Sequence, residues 1–341
     1  WVTPALMVAV AAMLTRGGES VRGMRATIWA NIGFGVLTFP PFLLWGYESV
    51  AIGSAELPIA AIVSGFSIFA WYAFGWLWVR HRDRLPADAA RLSLDVAVAT
   101  LVLCSAGAWG RAVLVAMDVQ DPLWTSGAVH FFLTPFSFGW LVFAALAVVH
   151  DRVDTPIGPR LRLATWSATA ALPLLFLLAI DTTLPPPTLR SGGAIGGMIF
   201  ALGLFYHAGA AWVAAGAGSR WRRPLIAAMP VAVVQAFFAL EPFARWADAA
   251  GLRVVYLHLT FLGFVSLVLA EWFCATRPQK TQRRMADAFA VAVVLLLVTM
   301  MPATGLWPAS LGGPTASLSV VFGASLPVLV AFVWLLSQRN P

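Results

Sequence analysis

The sequence predicts an all-α protein, a polytopic transmembrane helix bundle of about 11 spans that forms a single domain over residues 1–341. Of its 341 residues, 60% are hydrophobic and only 11% are charged, a balance that no water-soluble fold tolerates. The apolar residues occur in continuous runs of about 18 or more, the length that a helix needs to cross lipid. A β-barrel would instead show short segments of alternating polarity, so these runs argue against one.

The predicted spans follow one another with short loops, which indicates antiparallel neighbours in one bundle. The first, at residues 1–15, is too short to cross a bilayer, so we expect only part of a helix there. The other boundaries are expected at 25–47, 58–79, 93–117, 124–149, 163–182, 193–217, 224–244, 253–275, 286–306 and 316–337.

Basic residues alternate between the loops and predict the orientation of the chain. One set of loops, together with the C-terminus, carries 18 of the 22 lysines and arginines; the other set carries three, and Arg111 lies within a span. Basic loops stay on the cytoplasmic side of a membrane, so the sequence predicts a cytoplasmic C-terminus. The net charge of +7 therefore comes from the basic loops that orient the chain in the membrane, and it does not indicate nucleic-acid binding.

Other sequence signals exclude several function classes. Cys104 and Cys274 lie in separate apolar segments, so neither a disulfide framework nor a cysteine-based metal motif is indicated. The sequence also lacks the short motifs of soluble hydrolases and kinases.

Two histidines lie inside predicted spans at a similar depth from the outer side, His258 in VVYLHLTFLGFVSLVLAE and His130 in GAVHFFLTPFSFGW. An ionisable side chain is costly in lipid and marks a functional site by default. Neutral imidazole is a common ligand of metals and haem; the alternative is a histidine that hydrogen-bonds a neighbouring helix. We expect His258 and His130 to face one another and to share a haem or a metal ion.

Other polar residues in the spans are candidates for the surroundings of this site. Tyr256 precedes His258 by two residues, Arg111 and Glu241 lie in the outer parts of their helices, and His207 is nearer to mid-membrane. We expect Tyr256, Arg111 and His207 to contribute to cofactor binding, although Arg111 also fits a side chain that reaches the outer interface. Four titratable residues at cytoplasmic helix ends are predicted to be interfacial: His81, Asp95, His150 and Glu271.

Several stretches of the chain resemble one family of proteins. They are VVYLHLTFLGF, preceded by Gln235, Pro242 and Arg253, and, nearer the start, GFGVLTFPPFLLWGYES and SGFSIFAWYAFGWLW. The family is a poorly characterised group of bacterial polytopic membrane proteins that is itself similar to the catalytic subunit of haem-copper oxidases and nitric oxide reductases. The resemblance covers roughly residues 1–274. It implies an oxidase-subunit-I-like architecture, haem and copper as cofactors, and His258 as a ligand.

Two features of the family pattern are missing from this sequence. The family's histidine-rich helix would precede Trp1, because WVTPALM resembles the residues that follow that helix. The family also has a histidine where this chain has Thr134, and His130 lies one helical turn away. We therefore expect an N-terminally truncated, partly degenerate member, with a histidine-bearing helix encoded upstream.

Three functions are compatible with these observations. The resemblance implies a haem- or copper-associated redox or nitric-oxide-related protein of the bacterial inner membrane, with the lipid bilayer and other respiratory-chain subunits as partners. A transporter of a small solute or of protons is the first alternative, because Phe39-Pro40-Pro41 and Thr134-Pro135 interrupt helices. A scaffold that has lost its cofactors is the second. Whether the chain is an enzyme stays open.

The charge asymmetry predicts that the loops at 80–91 and 277–284 face the cytoplasm and that the loop at 184–192 faces outward. Single cysteines placed at Thr188 and Thr281 should then behave differently in intact cells. An impermeant thiol reagent should label position 188 and leave position 281 unlabelled, in a parent chain with Cys104 and Cys274 replaced by alanine. Labelling at 281 with protection at 188 would contradict the topology.

Overall fold

The computed structural model describes residues 2–16, 18–46, 48, 50–53, 55–181, 183–276, 280–306 and 314–337. Trp1, Tyr47 and Arg277, which belong to segments discussed above, lie outside this part of the chain. The described chain is almost entirely helical, which confirms the all-α class. It forms two compact units, residues 1–144 and residues 145–341. The organisation as one domain stays a prediction.

Among its described residues, the first unit contains six complete α-helices and one hairpin. The helices are α1 Val2–Leu14, α2 Met24–Trp45, α3 Ile59–Gly65, α4 Ser67–His81, α5 Ala89–Ala116 and α6 Pro122–Thr134. The antiparallel hairpin, β1 Val50–Ile52 and β2 Ala55–Leu57, connects α2 to α3. Helix α4 packs on α2 and on α5, and α5 packs on α6.

A π-helical segment, Pro135–Leu141, continues α6 into α7, which is Val142–Arg152. Residues of α7 from Ala145 onward belong to the second unit. The remaining helices are α8 Pro159–Leu175, α9 Pro187–Ala215, α10 Arg222–Phe238, α11 Glu241–Ala249, α12 Leu252–His258, α13 Leu267–Thr276, α14 Lys280–Met300 and α15 Pro314–Ser337. Helix α9 packs on both α8 and α10, α14 packs on α15, and a second π-helical segment, Leu259–Ser266, joins α12 to α13.

Local sequence explains where two of the long helices begin. The Asp88 carboxylate accepts a hydrogen bond from the Arg91 backbone N–H at 2.9 Å and caps the start of α5. The Asp121 carboxylate accepts from the Leu123 backbone N–H at 2.8 Å, and Pro122 occupies the first turn of α6. Each carboxylate satisfies a backbone donor that has no partner within its helix.

Long apolar helices confirm that this is a membrane protein. Within the described residues, eight helices are long and apolar enough to cross a bilayer, and each coincides with one of the predicted spans. Their outer surfaces carry large apolar side chains, among them Leu43, 73% exposed, and Val213, 77% exposed. Such surfaces are stable only against lipid or another apolar partner. The total of about 11 spans and the oxidase-like arrangement stay predictions.

The span predicted at 224–244 is not one continuous helix, because it is broken near its C-terminal end. Helix α10 ends at Phe238, and α11 leaves it at an angle of 110°. The break falls at Leu240, whose backbone is extended, just before Pro242 in the first turn of α11. Apolar residues continue through this break, so composition alone did not reveal it.

Helix α11 is amphipathic. It buries Ala244 and Ala247 and exposes Glu241, Arg245 and Asp248. One apolar side and one charged side are typical of a helix that lies along a membrane surface.

Close contact between α5 and α6 depends on Gly107. A Cβ atom at this position would lie 2.4 Å from the Phe132 backbone nitrogen and 2.5 Å from the Ala128 carbonyl oxygen. Backbone atoms cannot turn aside as a side chain can, so the two helices would have to separate. Three residues further along the same helix, a Cβ on Gly110 would meet nothing closer than the Ala128 Cβ at 4.0 Å.

We therefore expect Gly107→Ala to destabilise the protein by about 1–3 kcal/mol, the usual cost of overpacking. Gly110→Ala is the matched control, because both changes bring the same gain in helix propensity and only the first brings a clash. Thermal unfolding of the purified variants in mild detergent measures the difference. Equal melting temperatures for the two variants would show that this contact does not limit the packing of α5 on α6.

Candidate functional site

His258 is the last residue of α12 and is half-buried. Its Nδ1 lies 2.8 Å from the Val254 carbonyl oxygen. A carbonyl only accepts, so Nδ1 carries the proton and a neutral ring keeps its lone pair on Nε2. Histidines that bind metals or haem usually have this arrangement, with the second ring nitrogen donating to a carbonyl or a carboxylate. His81 makes the same bond to the Leu77 carbonyl oxygen, at 2.9 Å, so the bond orients an imidazole whatever its use.

A π-helical segment follows each of the two candidate ligands. Leu259–Ser266 begins directly after His258. Pro135–Leu141 begins five residues after His130, where Pro135 has no backbone N–H to donate. In the first of these segments the Ser266 hydroxyl donates to the Phe261 carbonyl oxygen at 2.9 Å. Single π-helical turns inside α-helices are frequent at functional sites, and His81 has none beside it.

His130 and Arg111 lie in the first unit, on α6 and α5, and each is half-buried. His258 lies in the second unit. A shared haem or metal ion between His130 and His258, and a contact from Arg111 to it, stay predictions.

Tyr256 holds α12 against α10. Its hydroxyl donates to the Gln235 side-chain oxygen at 2.8 Å, and its ring lies 5.2 Å from that of Phe238. Tyr256 is buried, and residues two apart on an α-helix point about 160° away from each other. The hydroxyl therefore lies on a different face of α12 from the His258 imidazole.

The structure brings His207 together with His150. The His150 Nε2 lies 2.9 Å from the His207 Nδ1, and each residue is only 1% exposed. On the outer sides of the pair, the Thr155 hydroxyl lies 2.9 Å from the His150 Nδ1, and the Thr165 hydroxyl lies 3.0 Å from the His207 Nε2. The four residues come from α7, the turn that follows it, α8 and α9.

The prediction that His150 is an interfacial residue is therefore wrong. It stands two residues before Arg152 at a helix end, and the sequence in that region looks like an ordinary membrane boundary. Its partner His207 is 57 residues away, so no local pattern indicates the pair. The one signal in the sequence that could have indicated the pair was His207, a histidine deep inside another predicted span.

Glu271 is buried as well, against the prediction of an interfacial residue. Its carboxylate accepts from Arg220 Nε at 2.8 Å and from Arg220 Nη2 at 3.2 Å, and Arg223 lies 3.5 Å away. Both arginines also pair with Asp287 on α14. Two positive and two negative charges thus join the start of α10 to α13 and α14.

Glu271 and Asp287 raise the pKa of the Arg220 guanidinium. The hydrogen bond to Glu271 is the largest cause, partial burial acts in the opposite direction, and the charges of Glu271 and Asp287 add to the rise. Because this pKa is raised on folding, the stabilisation is complete below the ordinary pKa of arginine. It is lost only as the pH rises through the raised value. The arginine side of the cluster is therefore insensitive to physiological changes of pH.

No other described constellation resembles a metal centre. Among the described residues, no group of three or more histidine, cysteine, aspartate and glutamate side chains is placed to hold a metal ion. Searches of protein families, of curated proteins and of solved structures found nothing that matches this chain.

Removing the buried carboxylate should be costly. We expect Glu271→Ala to lower the free energy of unfolding by about 2 kcal/mol, because Asp287 would be the one carboxylate among the described residues left to pair with Arg220 and Arg223. Their partial exposure reduces the cost below that of a fully buried pair. Glu19→Ala, which removes an exposed partner 3.3 Å from Arg84, should cost about 0–1 kcal/mol. Unfolding in mixed micelles measures both, and an equal effect of the two changes would contradict the assignment.

Proposed function

We propose that this chain is a haem-associated membrane protein of redox or nitric-oxide-related function, and that His258 is its haem ligand. The observation that carries the proposal is the His258 ring: its Nδ1–H is held by the Val254 carbonyl oxygen, so Nε2 presents a lone pair immediately before a π-helical segment. The resemblance to the haem-copper oxidase group supports the same assignment.

The residues present fit a haem better than a copper centre. A haem needs one or two axial ligands, and His258 can supply one. Copper would need more donors, and the described residues contain no group of three or more. Copper is therefore the second choice of cofactor in this proposal. When bound, a haem iron supplies electron transfer or the binding of a small diatomic molecule.

The chain's own contribution would be to hold and orient the ligand. The Val254 carbonyl accepts from the Nδ1–H of His258 and so fixes its tautomer, as such outer partners usually do. Placement in a bacterial inner membrane, a cytoplasmic C-terminus and association with respiratory-chain subunits belong to the proposal; a lipid-embedded chain is what the apolar helices support directly.

Transport of a small solute or of protons is the second candidate. The observation that favours it is the 110° break between α10 and α11, because discontinuous helices often form the substrate sites of transporters. The interruption expected at Pro40 and Pro41 is absent, because α2 runs through both prolines from Met24 to Trp45. A scaffold without cofactors would need neither the break nor the π-helical segments.

Haem binding by purified full-length protein tests the proposal. Wild-type protein titrated with haemin should show a Soret band typical of histidine ligation, and His258→Ala should lose most of that signal. His81→Ala is the matched control, because His81 makes the same backbone bond and lies in no π-helical context. It should bind as the wild type does.

Other outcomes separate the alternatives. Equal binding by His258→Ala and wild type would contradict the assignment of the ligand. Absence of haem binding in the wild type, with solute or proton flux in proteoliposomes, would favour the transporter. Absence of both would favour the scaffold.

A further inference from the structure

The hydrogen-bonded chain Thr155–His150–His207–Thr165 plays no part in the proposed haem site. All four residues are buried. Each contact along the chain is 2.9–3.0 Å long, which is ordinary hydrogen-bond distance. Burying two titratable rings in contact with each other costs free energy unless every ring nitrogen has a hydrogen-bond partner.

The direction of every bond in the chain follows from one end. The Thr165 hydroxyl donates its single proton to the Leu161 carbonyl oxygen at 2.8 Å, so it accepts from the His207 Nε2–H. A neutral imidazole has one N–H, and therefore His207 Nδ1 accepts from the His150 Nε2–H. By the same argument His150 Nδ1 accepts from the Thr155 hydroxyl. Both rings are then neutral, and all four ring nitrogens are paired.

The same arrangement can take up one proton without losing a hydrogen bond. A proton that arrives at His150 Nδ1 forms an N–H bond there, and the Thr155 hydroxyl rotates so that its oxygen accepts. The N–H bond at His150 Nε2 can then break as one forms at His207 Nδ1, which leaves His150 neutral and places the charge on His207. A second proton would set two N–H groups against each other across 2.9 Å.

We propose that His150 and His207 form one proton-binding site, which takes up a single additional proton that the two rings share. Proton access is from the turn at Thr155, next to the end of α7, on the side that the basic loops predict to be cytoplasmic. His207 lies eight residues before the end of α9, roughly 12 Å along the helix. Transfer of the proton from His150 to His207 therefore moves positive charge toward the middle of the helix. This inference does not depend on haem binding.

The charged groups on the elements that carry the pair or pack against it lie at the ends of those elements or in the turns between them. Helix α9 has no aspartate, glutamate, lysine or arginine after Arg190, and Tyr206 and Ala208 flank His207. The charged groups of α7, α8 and the turn between them are Asp151, Arg152, Asp154, Arg160 and Arg162, and α10, which packs on α9, begins with Arg222 and Arg223. Asp151 and Arg152 lie 3.9 Å apart, so their charges offset one another beside His150.

The test is a titration of the histidine rings by nitrogen NMR. Full-length protein with ¹⁵N-labelled histidine is placed in lipid nanodiscs, and the ring signals are followed as the pH is lowered. At neutral pH we expect both rings in the Nε2–H form, with a nitrogen–nitrogen coupling across the bond between them. On acidification one imidazolium should appear for the two residues, and both should change with one shared midpoint.

Variants assign the signals and supply the control. His150→Gln and His207→Gln should each remove one of the two ring signals together with the shared transition. Thr169→Val is the matched control: its hydroxyl donates to the Thr165 carbonyl oxygen at 2.7 Å, outside the chain, and the transition should persist. If the glutamine variants do not fold, the coupling between the rings identifies the pair in the wild type.

Three results would overturn the proposal. The first is two independent midpoints, with two charges on the pair in the folded protein. The second is an absence of protonation until the backbone signals of α8 and α9 show unfolding. The third is an absence of coupling between the two rings.

Discussion

Every polar group that lies in the lipid-spanning part of this protein must find a partner without water, and this constraint underlies the rest of the structure. Helices satisfy their own backbones, and several threonine side chains bond to the same backbone carbonyls. The hydroxyls of Thr100, Thr165 and Thr260 each donate to the carbonyl oxygen four residues earlier, at 2.8–2.9 Å. Where a helix departs from α-helical geometry, as at Leu259–Ser266, the Ser266 hydroxyl satisfies one of the affected carbonyls.

The same constraint separates the histidines into two kinds. His150 and His207 satisfy each other and two threonines, so all four of their ring nitrogens are used. His258 bonds through Nδ1 to a carbonyl of its own helix, and Nε2 is the atom that we propose as the ligand. A closed arrangement suits the storage of a proton, and an open one suits an external ligand. A ranking of candidate ligands by burial alone would have placed the buried His150 and His207 ahead of the half-buried His258.

Charged residues follow the constraint by collecting where helices end. Arg220, Arg223, Glu271 and Asp287 balance one another at one end of α13 and α14. Arg190 pairs with Glu241 at 2.9 Å where α9 and α11 begin. The first cluster is partly buried and the second exposed, so the first contributes more to stability. Both connect helices that are separate in the sequence.

The sequence by itself determined the helical membrane class and the approximate positions of the eight long apolar helices among the described residues, because hydropathy and helix length are local properties. It also led to the proposal of His258 as a ligand, and the bond that orients this imidazole is to a residue in its own helix. Only the tertiary structure decided the break after Phe238, the burial of Glu271 and the pairing of His150 with His207. Those features depend on contacts between residues 51 or 57 positions apart, or on an angle between helices, and one-dimensional patterns do not contain either.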